Sequence, residues 1–120
     1  MKTVILGAST NPSRISYKAA HMFQDEGIEF VPVGIKKGEV AGQPILDLGQ
    51  KPQIEGVDTV TLYIGVKNQP EWYEYILSLN PRRIIFNPGT ENPEFIEKAS
   101  KRGVETEIAC TLVMLSVGTY

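Results

Sequence analysis

The sequence predicts an α/β fold, in which a parallel sheet lies between two layers of helices. Three observations lead to this prediction: short apolar segments alternate with segments of helical periodicity, the first apolar segment ends in a glycine turn, and 120 residues suffice for one core. We therefore expect a single domain over residues 1–120. The apolar segments predicted as strands lie near residues 3–6, 28–33, 57–64, 83–86 and 104–108.

The first strand leads into a turn and a helix that together could bind an anion. Residues 7–9 are glycine, alanine and serine, which are too small to block the approach of a ligand. Asn11 or Ser13 could cap a helix that begins at Ile15, and Gly27 suits the left-handed position that follows the end of that helix. Backbone N–H groups and the positive end of the helix dipole meet at such a turn. The sequence therefore predicts an anion site here, with phosphate as the usual ligand.

The turn lacks the glycine motifs that define two common nucleotide sites. Only Gly7 fits the G-x-G-x-x-G fingerprint of dinucleotide-binding proteins, since residues 8–12 contain no further glycine. A Walker A loop is excluded as well, because no Gly-Lys-Ser/Thr follows. The alternative to a phosphate site is a strand-to-helix turn that binds nothing.

The second and third strands frame a segment whose structure the sequence leaves open. Strand 28–33 completes a βαβ unit, and a short basic loop follows it at residues 34–38. Residues 40–50 are rich in glycine and proline and predict a short edge strand or a turn. Residues 57–64 are largely apolar, as expected for a strand that is covered on both faces.

The second half of the chain predicts three further helices. One starts within residues 67–71 and turns Trp72 toward the sheet. The next begins at Pro93 and ends at Gly103, and its cap could be Thr90, Glu91 or Asn92. Residues 111–117 are apolar and predict a final helical turn or two that packs back on the domain.

The alternation of strands and helices predicts where a ligand would bind. We expect right-handed crossovers, three layers and the Rossmann-like strand order 3-2-1-4-5 in a five-stranded parallel sheet. In such sheets ligands bind beyond the carboxyl ends of the strands, beside the first strand. Small and polar clusters follow the strands at residues 7–11, 34–37, 65–68 and 87–90. The topology therefore brings these clusters to one edge of the sheet.

Charge and composition limit the classes of partner. A net charge of −2 gives no general attraction for nucleic acid or for an anionic membrane. No apolar run approaches the roughly 18–20 residues of a membrane span, and no signal peptide is evident. A single cysteine cannot form an internal disulfide. We expect a cytoplasmic protein whose partner is a small nucleotide ligand, with neither nucleic acid nor membrane involved.

The loop after the second strand indicates which nucleotide would fit. NAD-binding domains place an acid at the end of this strand, where it binds the ribose 2′-hydroxyl. Here Lys36 and Lys37 follow the strand, and two lysines would attract an additional phosphate on the ribose. NADP and coenzyme A both carry such a phosphate. The alternative is that the lysine pair belongs to an ordinary exposed loop.

Four stretches of the sequence match a known family: Gly7-Ala8-Ser9-x-Asn11-Pro12-x-Arg14-x-Ser16, Val31-Pro32-Val33, Asn87-x-Gly89 and Cys110. Together they resemble the small stand-alone CoA-binding domains, a family that is similar to the nucleotide-binding domain of the succinyl-CoA synthetase alpha subunit. The resemblance covers nearly the whole chain, and the first stretch is its most specific part. It implies a ligand, coenzyme A or an acyl-CoA, and no catalytic role.

The resemblance also implies a role for each matching position. The residues expected around the CoA phosphates are Gly7, Ala8, Ser9, Asn11, Arg14 and Ser16. Those expected to border the adenosine are Pro32, Val33 and Lys36. Those expected along the pantetheine arm are Gly65, Asn87, Pro88 and Gly89.

No catalytic or metal-binding set is evident from the residues themselves. His21, the only histidine, is predicted on the exposed side of the first helix. One histidine and one cysteine do not form a zinc site, and the acids are scattered. Cys110 follows the last strand and so falls on the ligand edge, where it could be either a buried structural thiol or a reactive one.

Three functions are therefore compared. The first is a non-catalytic module that binds CoA or acyl-CoA. The second is an NADP-dependent oxidoreductase, which is disfavoured because no acid/base pair and no substrate domain are evident. The third is a protein-interaction module, supported by Trp72, Tyr73 and Tyr75 on a helix that looks exposed.

Overall fold

The computed structural model describes residues 1–120. The strands in chain order are β1 (Lys2–Leu6), β2 (Phe30–Gly34), β3 (Glu39–Val40), β4 (Gln43–Pro44), β5 (Leu46–Asp47), β6 (Val57–Leu62), β7 (Arg83–Phe86) and β8 (Glu105–Ile108). The helices are α1 (Ile15–Asp25), α2 (Tyr73–Ser78), α3 (Pro93–Lys101) and α4 (Thr111–Val117), and short 3₁₀ turns lie at Leu48–Gln50, Val66–Asn68 and Pro70–Trp72. None of the helices has the length and apolar character needed to cross a membrane.

The main sheet is parallel and has the order β5-β2-β1-β6-β7-β8. Numbered within this sheet, the order is 3-2-1-4-5-6, which confirms the Rossmann-like fold class. The predicted count of five strands is wrong, because a sixth, β5, takes the third place beside β2. The predicted order placed the strand at 57–64 beside β2, whereas in the structure this strand, β6, pairs with β1. A strand of two residues is too short to show the period that identifies longer strands, so the sequence could only suggest it as an edge strand or turn.

Alternate residues of β1 pack on opposite faces of the sheet and produce the three layers. Ile5 belongs to a cluster with Phe23 of α1 and with residues of α4. Val4 and Leu6 belong to the other cluster, which includes Phe95 of α3 and residues of α2. All five of these side chains are fully buried, so both faces of the central strand are covered by the protein.

The predicted ends of two helices are confirmed. α1 begins at Ile15, and Gly27 follows it with a φ of +68°. At α3 the side chain of Asn92 accepts a hydrogen bond from the N–H of Phe95 at 3.2 Å, and Pro93 is the first helical residue. Side-chain capping by Asn92 satisfies an N–H that the helix itself cannot.

The aromatic side chains of the α2 region do not form an exposed surface. Tyr73 and Tyr75 are buried, and their hydroxyl groups donate to Glu94 at 2.9 Å and to the carbonyl of Pro52 at 2.6 Å. Trp72 is half-buried in the 3₁₀ turn that precedes α2. The feature that favoured a protein-interaction module is therefore absent, since these tyrosines bury their rings and satisfy their hydroxyls internally.

Candidate functional site

A cavity of about 1070 Å³ lies along the carboxyl edge of the sheet, at the ends of β1, β2, β6 and β7 and the start of α4. Its size is slightly above the range of about 300–1,000 Å³ that is usual for small-molecule sites. Most of the residues predicted for the site line it: Gly7, Ala8, Ser9, Asn11, Arg14, Ser16, Lys36, Gly65, Asn87, Pro88 and Gly89. The topology thus gathers residues that are up to 82 positions apart in the chain (89 − 7) around one space.

Pro32 and Val33 are the two predicted site residues that do not line the cavity. Both are buried in β2, and Val33 is packed in the core. The carbonyl of Val33 accepts hydrogen bonds from the N–H groups of Gly7 at 2.9 Å and Ala8 at 3.0 Å. Val33 therefore supports the turn through its backbone carbonyl, and the cavity wall next to it comes from Gly34 and Ile35.

Close approach between strand ends explains the glycines at positions 7 and 34. Gly7 has a φ of +100°, and a Cβ there would lie 3.0 Å from the carbonyl carbon of Tyr63. A Cβ on Gly34 would lie 2.4 Å from the carbonyl oxygen of Ala8. Both glycines are thus required by the packing of β1 against its two neighbours.

The start of α1 presents N–H groups that the protein leaves unpaired. Arg14 occupies the N-cap position and makes no side-chain capping bond, and the N–H groups of Ile15 and Ser16 have no partner. The predicted cap by Asn11 or Ser13 is wrong, because the Asn11 Oδ1 accepts from the N–H of Ser13 at 3.0 Å instead. An uncapped first turn at the positive end of an eleven-residue helix is suited to bind an anion.

Free positive charge lies on both sides of this turn. Arg14 and Lys36 line the cavity, are exposed, and form no salt bridge or side-chain hydrogen bond with the protein. Glu71 is the only carboxylate residue in the cavity lining, and Lys37 is not part of the lining. The local charge therefore favours an anionic ligand even though the chain as a whole is negative.

The side chain of Asn87 holds the far end of the cavity together. Its Nδ2 donates to the Thr61 hydroxyl at 2.8 Å and to the carbonyl of Leu62 at 3.0 Å, and its Oδ1 accepts from the N–H of Thr111 at 2.9 Å. The residue is 2% exposed. Because the amide is used by the protein, Asn87 contributes to the wall by joining β6, β7 and α4.

Several lining residues were not singled out from the sequence, notably Tyr63, Ile64 and Leu112. The signal that could have found Tyr63 and Ile64 is their position directly after a strand, which places them on the ligand edge. The ring of Tyr63 lines the cavity, whereas its hydroxyl is buried without a hydrogen-bond partner. Burial raises the pKa of this hydroxyl, an effect that the nearby hydroxyls of Thr61 and Thr111 partly offset.

Cys110 and His21, the two side chains that could support other chemistry, lie in different places. Cys110 is a free, half-buried thiol in the cavity wall, at the start of α4. His21 is half-buried rather than exposed as predicted, with its ring 4.6 Å from that of Tyr17 and its Nε2 buried without a partner. It does not line the cavity. No three His, Cys, Asp or Glu side chains lie close enough together to hold a metal ion.

Three solved structures with the same fold superimpose on most of this chain. A crystal structure described as that of an uncharacterized protein is 57% identical, covers 99% of this chain and 97% of its own, and superimposes with a TM-score of 0.95. A Thermus thermophilus protein is 20% identical, with coverages of 99% and 90% and a TM-score of 0.86. A conserved hypothetical protein from Pyrococcus furiosus is 23% identical, with coverages of 93% and 97% and a TM-score of 0.81. The two more distant likenesses concern the fold alone.

A comparison with functionally curated proteins found no match. The sequence profile of a domain family does match, and it spans residues 1–116 of the 120. The profile is described as a CoA binding domain, in agreement with the resemblance noted in the sequence. The chain therefore belongs to the CoA binding domain family.

Proposed function

We propose that this domain binds coenzyme A, free or acylated, in the cavity at the carboxyl edge of the sheet, with the CoA pyrophosphate at the start of α1. The observation that carries the proposal is the unpaired N–H groups of Ile15 and Ser16 beside the unpaired guanidinium of Arg14. An oxyanion accepts from several N–H donors at once, and a guanidinium adds a charge-assisted pair. Ser9 and Asn11 complete this side of the cavity.

The strand order gives the rest of the ligand a direction. β2 lies on one side of β1, and the lining residues after it include Gly34 and Lys36. We assign the adenosine and its 3′-phosphate to this side, with Lys36 as the cation for the phosphate. β6 and β7 lie on the other side, where Gly65, Pro88 and Gly89 leave a path for the pantetheine arm.

We further propose that binding, rather than a reaction, is the role of the site. The titratable side chains in the lining are Arg14, Lys36, Tyr63, Glu71 and Cys110. Burial raises the pKa of Tyr63, which opposes its use as a base, and the only histidine is outside the lining. This arrangement supports recognition of a charged ligand and offers no paired acid and base.

Thermal melting with a panel of nucleotides tests the ligand. A ligand that binds only the folded state at 100 times its Kd stabilises the protein by about 2.7 kcal/mol. CoA and acetyl-CoA should therefore raise Tm clearly, whereas NAD and ATP should not. A rise with NADP and none with CoA would replace the proposal by the oxidoreductase alternative.

Two neighbouring lysines provide a matched test of the 3′-phosphate assignment. Lys36→Ala should weaken CoA binding about tenfold, because a charge-assisted hydrogen bond contributes about 1.5 kcal/mol or more. It should leave the affinity for dephospho-CoA, which lacks the 3′-phosphate, unchanged. Lys37→Ala removes the same charge outside the cavity lining and should change neither affinity. Calorimetric titration of the wild type and both variants gives six Kd values, and equal binding of CoA and dephospho-CoA by the wild type would contradict the assignment.

Arg14→Ala tests the pyrophosphate assignment separately. CoA and dephospho-CoA both contain the pyrophosphate, so this variant should weaken both by about tenfold or more. Its Tm without ligand should equal that of the wild type, because the guanidinium has no partner in the protein. If Arg14→Ala binds CoA and dephospho-CoA as tightly as the wild type does, the pyrophosphate binds elsewhere.

A further inference from the structure

A fully buried glutamine joins two of the loops that border the cavity. Gln69 lies between the two 3₁₀ turns that follow β6 and has no exposed surface. Its Nε2 donates to the carbonyl of Ile64 at 2.8 Å and to the carbonyl of Thr90 at 2.9 Å, and its Oε1 accepts from the Nδ2 of Asn92 at 2.8 Å. Both amide hydrogens are therefore used, and each goes to a different loop.

The two carbonyls that Gln69 joins belong to opposite loops of the cavity wall. Ile64 follows β6, Thr90 follows β7, and both line the cavity. Beyond the ends of the strands no sheet ladder holds these loops at a fixed separation. The amide of Gln69 supplies that constraint, and removing it would leave the buried carbonyl of Thr90 and the partly buried carbonyl of Ile64 without this donor.

A second layer of hydrogen bonds holds Gln69 itself in one orientation. The Nδ2 of Asn92 also donates to the hydroxyl of Tyr73 at 2.8 Å, and that hydroxyl donates to Glu94 at 2.9 Å. Asn92 is at the same time the N-cap of α3. The glutamine is thus fixed by the end of a helix rather than by a mobile surface group.

We propose that Gln69 is a positioning residue that sets the width of the pantetheine side of the cavity, and so selects ligands that carry the pantetheine arm over the bare nucleotide. This inference rests on the proposed function, because it assumes that the pantetheine arm lies on the β6 and β7 side of the cavity. Gln69 is not among the residues that line the cavity. It acts by keeping the Ile64 and Thr90 loops at a separation that fits an extended chain.

The test compares two ligands that differ in the arm. CoA contains the arm, and adenosine 3′,5′-bisphosphate is its nucleotide part without the arm. Gln69→Leu keeps a side chain of similar size but removes both donors. We expect it to weaken CoA binding at least tenfold and to change the Kd of the bisphosphate by less than twofold, as measured by calorimetry or by competition.

Two further variants separate positioning from loss of stability. Asn92→Asp keeps the capping oxygen but removes the donor to Gln69, and it should reproduce the selective loss in a milder form, about threefold to tenfold; it also serves where Gln69→Leu does not fold. Tyr75→Phe removes a buried hydrogen bond to Pro52, which is not in the cavity lining. This control should lower Tm and leave both Kd values unchanged.

The outcomes are distinct from those of the proposed function. If Gln69→Leu weakens both ligands equally, or weakens neither, the positioning role is wrong while CoA binding stands. If the wild type binds neither CoA nor the bisphosphate, the proposed function itself is wrong. If Tyr75→Phe shows the same selective loss, selectivity follows from stability in general, and the role of Gln69 is overturned.

Discussion

Replacement of Gly34 by alanine is the sharpest test of how the turn after β1 is built. Gly34 ends β2, directly after the residue whose carbonyl accepts from the N–H groups of Gly7 and Ala8. An added Cβ would lie 2.4 Å from the Ala8 carbonyl oxygen, which is 1.0 Å inside the 3.4 Å at which ordinary contact begins (3.4 − 2.4). The obstacle is backbone, so it cannot rotate aside as the end of a side chain would.

The cost follows from the two ways in which the contact can be relieved. Overpacking in a dense region costs about 1–3 kcal/mol. Moving the turn away from β2 would also lose one of the two hydrogen bonds to the Val33 carbonyl, which adds about 1 kcal/mol. A loss of about 2–4 kcal/mol lowers the Tm of a domain of this size by about 8–16 °C. The turn would move with it, so CoA affinity should fall as well.

Gly65→Ala is the matched control for this measurement. Gly65 also lines the cavity, but its φ is −60° and a Cβ there would meet no atom within 4 Å. Its Tm should lie within about 2 °C of the wild type, since alanine is compatible with this backbone conformation. Calorimetric melting of Gly34→Ala, Gly65→Ala and the wild type gives the comparison. A Gly34→Ala protein that melts as the wild type does would refute the argument from close approach.

Two other predictions concern the cavity and the sheet. Cys110 lines the cavity, so saturating CoA should slow its alkylation by iodoacetamide, and intact mass spectrometry would show equal rates if the ligand binds elsewhere. Asp58 has a pKa below its usual value, first because Arg82 donates to it. Its contribution to stability is present above the unfolded-state pKa and is lost as pH falls through the lower folded-state value. Asp58→Asn should therefore lower Tm at pH 7 and lower it progressively less as the pH falls below the usual value for an aspartate, and an equal loss at every pH would contradict this.

The sequence was sufficient for the parts of the fold that depend on local signals. Five strands, the start of α1 and the glycine after it follow from apolar runs and from residues with a particular backbone preference. The cap of α3 was narrowed to three residues, of which the structure shows Asn92. The sequence did not reveal β5 as a member of the sheet, because Leu46 and Asp47 form a strand only through their pairing with β2. A two-residue strand is decided by its neighbour rather than by its own composition.

The position of the cavity was predictable from the sequence, but its internal hydrogen bonds were not. The rule that ligands bind at the carboxyl ends of parallel strands located the turn at Gly7, the Lys36 loop and the Asn87 turn. The same rule could not show that the amide of Asn87 is used by Thr61 and Thr111, nor that Gln69 spans two loops. These bonds join residues far apart in sequence, and a polar residue gives no local sign of its partner.

The glycines and the cations of the site differ in what they imply about a ligand. Gly7 and Gly34 are required by the close approach of neighbouring backbone, so they would be needed even in a domain that binds nothing. Arg14 and Lys36 have no comparable task, because they are exposed and have no partner in the protein. The uncapped N–H groups at the start of α1 are likewise unused by the fold. Groups that the fold does not need, gathered on one cavity, are therefore a stronger indication of an anionic ligand than the glycine turn that drew attention to it.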